Sequence, residues 1–512
     1  MKIIKGVFTY TMLLIGAALI ICMALVGCMF LFPNFKVFGW GIMFKSNELA
    51  SEVRSPELTA GATYTLDIDA KLHDVYIYQY SDSTPTISLQ KFDDMFGIMK
   101  GSRDSYDGSV KFDPVDATTY KVEAKDIEGA ILKRSSKIVV YVPNGRSYKF
   151  NIKTTSGNIN IDGSLREVAG KVKSATELNV KGLNLETTTG SFSWSNVNRP
   201  SNVVELENLS AKTQYGKFNF SLGDDVTIKG NENSKYYLEC KRGEFTFNNV
   251  KVNEMHIEGN DVLVVANELN TVKSFYFNAP NGFFNVTKLV TADKGLSTII
   301  TNNIDVQLNE VIGELAITTT YGNINVNKTT KNASLKSING NITVGKAEDN
   351  LSAISEHGDI IVGSYNSKVY LKNKHGKIEA TYNKDAFNIS SSIANKSEII
   401  NEEGSITVND LMIGTDLTTT SGGTINASYY LMPKNDDNIH NVKLLAGGTA
   451  NLQVANTNGF MFNGKGNISG KVSSVNMTAT TEATQILSGE GPFTTLNVDA
   501  GTGNAVFSTY NK

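Results

Sequence analysis

Gly322, Gly340, Gly358 and Gly376 recur at a constant spacing of eighteen, and two and four positions after them come Ile324/Val326, Ile342/Val344, Ile360/Val362 and Ile378/Ala380. The segment before each glycine keeps the same register, because Ile317, Leu335, Ala353 and Leu371 share that spacing. A coil of strand, turn, strand and turn cannot bury its inward side chains alone; it does so only when the next coil stacks on it. Propeller blades repeat about every 40 to 50 residues and sandwich domains about every 100, so this period excludes both. The sequence therefore predicts an all-β chain, a parallel β-solenoid of stacked coils of about 18 to 20 residues.

The same phrase, a polar pair, Gly and then two alternate apolar residues, recurs less regularly elsewhere. It occurs around Gly157, Gly190, Gly216, Gly243 and Gly282 upstream, and around Gly404 and Gly423 downstream. Between Gly282 and Gly322 the string TNNIDV places Asn302 in the glycine slot, and the long gaps on either side of Gly282 read as two coils each. The slot is expected to need a positive φ, which Gly and then Asn adopt most readily. In such a stack Ile324, Ile342, Ile360 and Ile378 form one internal column and Val326, Val344, Val362 and Ala380 another, with neighbours about 4.8 Å apart. Roughly twenty coils at that spacing give a rod on the order of 90 to 100 Å long.

The composition agrees. Charged residues make up only 19% and hydrophobic residues 40%, which is too apolar for disorder, while 44 Gly and abundant Thr, Ser, Asn, Val and Ile suit strands and tight turns. Alternation at Tyr64-Leu66-Ile68, Val75-Ile77, Ile87-Leu89, Tyr120-Val122 and Ile138-Val140-Val142 marks residues 57–150 as a β-rich leader capping the first coil. Residues 151–512 follow as solenoid with a C-terminal cap, which is needed because a bare last coil would pair with other chains.

Before the leader, residues 7–32 carry no charge and, at about 1.5 Å per residue, exceed the roughly 30 Å of hydrocarbon that a helix must cross. This segment reads as a transmembrane helix, with residues 1–6 as a short cytosolic tail, the body outside, and residues 33–56 as a linker whose Trp40 suits a membrane interface. Leu25-Val26-Gly27-Cys28 also resembles a lipobox, so a lipoprotein anchored through Cys28 is the alternative; the apolar run continuing to Phe32 favours the uncleaved span.

Nucleic acid is excluded as a partner by the net charge of -3 and the mixing of both signs. No disulfide framework is possible in the body, where Cys240 stands alone. His357 and His375 each precede a repeat glycine and are one repeat apart, so they stack; two imidazoles could share a metal, but the three or four ligands of a site are not there. His73, His256 and His440 are isolated, and no triad or HExxH spacing surrounds them. The adjacent acidic pairs Asp93-Asp94, Asp224-Asp225 and Asp436-Asp437 each fall where a turn between strands is expected, and Asp is common there for backbone reasons. No catalytic, cofactor-binding or metal-ligating residue is assigned, no cofactor is expected, and the chain reads as a non-enzyme.

The residues also resemble a known family. DVYIYQYSDSTPTISL (residues 74–89), IVVYVPNG (138–145) and FNIKTTSGNINI (150–161), followed by Gly-x-Ile-x-Val repeats, are similar in order to the bacterial "putative adhesin" domain, a β-solenoid family of unknown function. That resemblance implies a cell-envelope location and a role in adhesion, and brings no functional residues with it. The expected function is thus a non-enzymatic cell-surface rod, adhesive or structural, binding polysaccharide or another surface ligand through repeated polar ladders. The alternatives are a polysaccharide-active β-helix enzyme and a membrane-tethered envelope sensor.

Overall fold

The computed structural model describes the chain except residues 1, 33–35, 37–39, 81–83, 101–109, 125–128, 135, 163–177, 196–202, 223–225, 293, 388–395, 431–437, 456–459, 473–474, 477–481, 488–493 and 511–512. The chain divides into two compact units, Met1–Leu222 and Gly223–Lys512.

The first unit opens on the helix Lys2–Leu31. Its stretch Thr9–Met29, with mean hydropathy 2.7, is long and apolar enough to cross a bilayer. Where a linker is expected, the strand Trp40–Arg54 instead pairs antiparallel with Ser88–Lys100, from Trp40 opposite Lys100 to Arg54 opposite Ser88. The alternation of Trp40, Ile42 and Phe44 is a strand signal, but the partner lies far along the chain, where local propensity gives no hint of it. The Trp40 side chain lies outside the described residues.

The leader strands are themselves coils. Thr63–Lys71 and Asp74–Tyr80 pair in parallel with Ser147–Thr154 and Ile159–Asp162, which pair in turn with Asn179–Thr187 and Phe192–Ser195. On their other side Thr63–Lys71 and Asp74–Tyr80 pair with Thr119–Glu123 and Lys137–Pro143. The first coil in sequence is therefore not the end of the stack, because later strands lie outside it. Antiparallel strands close that end: Ser88–Lys100 lies on Lys137–Pro143 and Lys111–Pro114 on Thr119–Glu123. Aromatic residues fill the irregular coils that follow; Trp194 aligns with Ile161 and Phe220, and its ring meets that of Phe220 edge-on at 5.2 Å.

In the second unit two parallel ladders run side by side. One takes Leu296–Thr301, Glu314–Thr319, Ala333–Ser337, Leu351–Ser355 and Val369–Asn373; the other takes Val306–Ile312, Ile324–Thr329, Ile342–Ala347, Ile360–Tyr365 and Ile378–Tyr382. The expected columns form: Ile324, Ile342, Ile360 and Ile378 align and are fully buried, as do Val326, Val344, Val362 and Ala380 with at most 2% exposure. Ile317, Leu335, Ala353 and Leu371 make the facing column. The second ladder skips Asn309, Asn327 and Gly345, so each coil turns there as well and has three short sides.

The second unit ends with the device that opens the first. The last strand, Thr495–Tyr510, pairs with Ile439–Leu444 and Thr449–Ala455 on one side and with Phe460–Val472 on the other. The last coil in sequence is thus inserted inside the stack, and Phe460–Val472, itself paired antiparallel with Glu482–Leu487, lies outside it.

Two details of the repeat are corrected. Gly322, Gly340, Gly358 and Gly376 are not among the residues with positive φ. They are glycine because the coils touch there: a Cβ on Gly340 would lie 2.0 Å from the Gly322 carbonyl oxygen, and one on Gly358 2.1 Å from that of Gly340. Nor does Asn302 take the slot. Val306 aligns with Ile324, so the residue beneath Gly322 is Ile304, whose carbonyl oxygen a Gly322 Cβ would meet at 1.8 Å.

Candidate functional site

Much of the polar character of the repeat is spent inside the stack. Three residues before Gly190, Gly216, Gly322, Gly340, Gly358, Gly376 and Gly404 stands a buried Thr, Ser or Asn whose side chain accepts the glycine N–H. Ser337 Oγ accepts the Gly340 N–H at 2.8 Å and donates to the Gly322 carbonyl at 3.2 Å. Ser355 does the same between Gly358 and Gly340, and Asn373 between Gly376 and Gly358. Thr213 serves Gly216 and Gly190 in the first unit. A buried N–H and a buried carbonyl are satisfied by one side chain, which is why small hydrogen-bonding residues recur at these corners.

The residue after the glycine also has a structural role. Asp305 Oδ1 accepts the Asn323 N–H, Asn323 Oδ1 that of Asn341, Asn341 Oδ1 that of Asp359, and Asp359 Oδ1 that of Lys377, at 2.7 to 3.0 Å. The repeat phrase leaves this position open to any residue; the succession of Asn and Asp was its visible signal.

The candidates for chemistry fall in separate places. His357 and His375 do stack, with ring centroids 4.7 Å apart and planes within 5°, and His375 Nδ1 lies 2.7 Å from Glu403 Oε2. A ligated metal sits in the plane of its imidazole, and no ion lies in both of two parallel planes. His73 and His440 are fully buried; burial, and then the charge of Lys396, pushes His440 down to about 3. His256 is not isolated but sandwiched between the rings of Tyr237 and Tyr276, at 4.6 and 4.5 Å. Asp93 and Asp94 lie within a strand, not a turn, and Asp93 forms a buried ion pair with Lys91 at 3.1 Å. Asp224, Asp225, Asp436 and Asp437 lie outside the described residues. The buried Cys240 thiol is pushed up to about 12 by its apolar surroundings, which removes its nucleophilic form. Among the described residues no group of three or more His, Cys, Asp or Glu could hold a metal ion.

What remains for recognition is the outward face of the first ladder of the second unit. One column there reads, coil by coil, Tyr237, His256, Tyr276, Thr298, Ala316, Ser334, Ser352, Tyr370, Glu398, Asp416, Asn441, Asn497 and Asn463. The stacked aromatic rings give way to small residues, then one further ring, then carboxylates and amides. Two grooves result. The first, of about 510 Å³, runs over Ala316, Ser334 and Ser352 and is walled by Glu314, Asn332, Asn350 and Lys368. The second, of about 540 Å³, shares Glu398 with the first and runs on over Asp416, Asn441, Asn497 and Asn463. Its floor is a chain of amides in which Asn463 donates to Asn497 at 2.8 Å, Asn497 to Asn441 at 2.8 Å, and Asn441 to Asp416, which pairs with Lys396 at 2.8 Å. The first groove is lined by amides bonded in the same way, but it also carries the outward hydroxyls of Ser334 and Ser352, so it is the better placed to bind.

The family model described as Toastrack DUF4097 matches residues 66–386. No curated protein matches the chain. Among solved structures, a "putative cell adhesion protein" from Clostridium sporogenes is similar at 8% identity and a TM-score of 0.18, over 59% of this chain and 99% of that one.

Proposed function

The chain belongs to the Toastrack DUF4097 family, and on that premise we propose that it is a non-enzymatic envelope protein that binds extended surface polymers along its coils. The observation that carries this reading is the continuous outward column of the second unit, where two long grooves lie over a face whose backbone is already paired. Many weak contacts repeated coil by coil suit a polymer better than a small substrate. The described histidines and acidic residues weighed for chemistry lie buried, stacked or apart from one another, which supports binding over catalysis.

In this reading residues 7–32 anchor the chain in the membrane, residues 1–6 face the cytosol, and the body from residue 57 onward stands outside. Lipidation at Cys28 is the competing anchor, and the intact mass of the membrane-extracted protein separates the two.

The test uses the full-length chain in lipid nanodiscs, incubated with isolated cell envelopes. Saturable retention with no sugar released into the supernatant is the expected result. Released sugar would replace this reading with an enzymatic one, and absence of retention would remove it.

A further inference from the structure

We propose that the first groove of the second unit, with Tyr370 in its lining, is a binding site for a short segment of an unbranched glycan. The proposal rests on the binding function proposed above and names where and what the protein binds.

The geometry is that of a trough lined from Leu296 and Glu314 to Lys396 and Glu398, with the Tyr370 ring in its lining. Tyr276, Thr298, Ala316, Ser334, Ser352 and Tyr370 follow one another in register. At about 4.8 Å per coil, the two tyrosines are roughly 24 Å apart. One face of the Tyr276 ring is covered by His256, while on the other side the next residue is Thr298, too small to cover it. Tyr370 aligns with Ser352 on one side and Glu398 on the other, so no aromatic neighbour in the column covers its ring. Tyr276 lies beyond the groove's lining, which leaves Tyr370 as the ring within it.

The lining chemistry favours a sugar over a peptide. Backbone N–H and C=O groups of this face are engaged in the ladder, so an extended peptide finds no edge to pair with. What is offered is side-chain chemistry. The amides of Asn332 and Asn350 form one wall: Asn350 donates to Asn332 at 2.9 Å, Asn332 donates to Glu314 at 3.4 Å and Asn350 accepts from Ser367 at 3.0 Å, which leaves each NH2 group a second N–H. The hydroxyls of Ser334 and Ser352 form the floor and have no protein partner among the described residues. Lys368 stands beside Tyr370. Amides and hydroxyls match sugar hydroxyls, and aromatic faces match the C–H faces of pyranose rings. The lysine adds affinity where the segment bears a carboxylate at that end.

The experiment titrates the full-length chain in nanodiscs with cellotetraose, chitotetraose and tetragalacturonate by calorimetry, alongside Tyr370→Ala and Ser334→Trp. The first variant removes the ring in the lining and the second fills the trough from an outward position, so both leave the buried columns intact; an unchanged unfolding midpoint verifies this. At least one tetrasaccharide is expected to bind, Tyr370→Ala to weaken it about tenfold, and Ser334→Trp to abolish it. Binding that survives both variants would overturn the site. No tetrasaccharide bound while envelope retention persists would overturn the glycan trough and leave the binding reading standing; loss of both would sink the two together.

Discussion

Gly340 lies so close above Gly322 that a β-carbon on it would stand 2.0 Å from the Gly322 carbonyl oxygen. The contact recurs from Gly340 to Gly358 and from Gly358 to Gly376, at 2.1 and 2.3 Å. Gly340→Ala must push two coils apart at a corner where both neighbouring ladders hold them together. It is expected to cost about 2 to 3 kcal/mol, the upper range for overpacking, seen as a lowered urea midpoint. An unchanged midpoint would mean that the corner yields freely.

Ser355 is the complementary case. Removing its hydroxyl orphans the Gly358 N–H and the Gly340 carbonyl together. Ser355→Ala should destabilise by about 1 to 3 kcal/mol, whereas Ser355→Thr, the residue found at Thr213 and Thr319, should be nearly neutral. Equal losses in the two variants would show that packing, not hydrogen bonding, sets the cost.

His440 predicts a pH dependence. It faces the Tyr429 ring edge-on at 5.2 Å and lies fully buried, with Lys396 the charged neighbour that also disfavours its protonation. Its folded pKa, about 3, lies below the unfolded value of 6.5. The unfolded chain therefore binds the proton first. The stability that neutral His440 allows is fully present above pH 6.5 and is lost as pH falls toward 3, by about 1.4 kcal/mol per pH unit. Between about pH 6 and 4.5, before most carboxylates titrate, His440→Leu should flatten this slope. A slope that persists in the variant would assign it to other groups. Leucine is the natural replacement, since Leu496 aligns with His440 in the same inward column.

The strict part of the fold was legible because a constant coil length returns every side chain to the same place, so Ile324, Ile342, Ile360 and Ile378 declare their column in the sequence itself. Where coil length varies that signal fails. The string around Asn302 imitates the repeat but is out of step with it, because Phe284 aligns with Val306, a longer step than the strict coils take; only the register identifies Ile304 as the slot. Glycine was identified as special for the wrong reason, since positive φ and close approach of two backbones leave the same mark on a sequence. The trough was not legible at all. Ser352, Tyr370 and Glu398 share a column only through coils of unequal length, and no local pattern joins them.

In both units the coil that comes first or last along the chain is held between two others. For the strand Thr495–Tyr510 this has a consequence during synthesis. A chain emerging from its N-terminus cannot finish by adding one coil after another, because Phe460–Val472 is made before the strand that must lie between it and the strands Ile439–Leu444 and Thr449–Ala455. Until Thr495–Tyr510 is available, Ile439–Leu444 and Thr449–Ala455 on one side and Phe460–Val472 on the other lack the backbone partner that joins them. The closing step is an intercalation: the terminus acts as a keystone, so a nascent or truncated chain lacking it exposes two sticky edges rather than one.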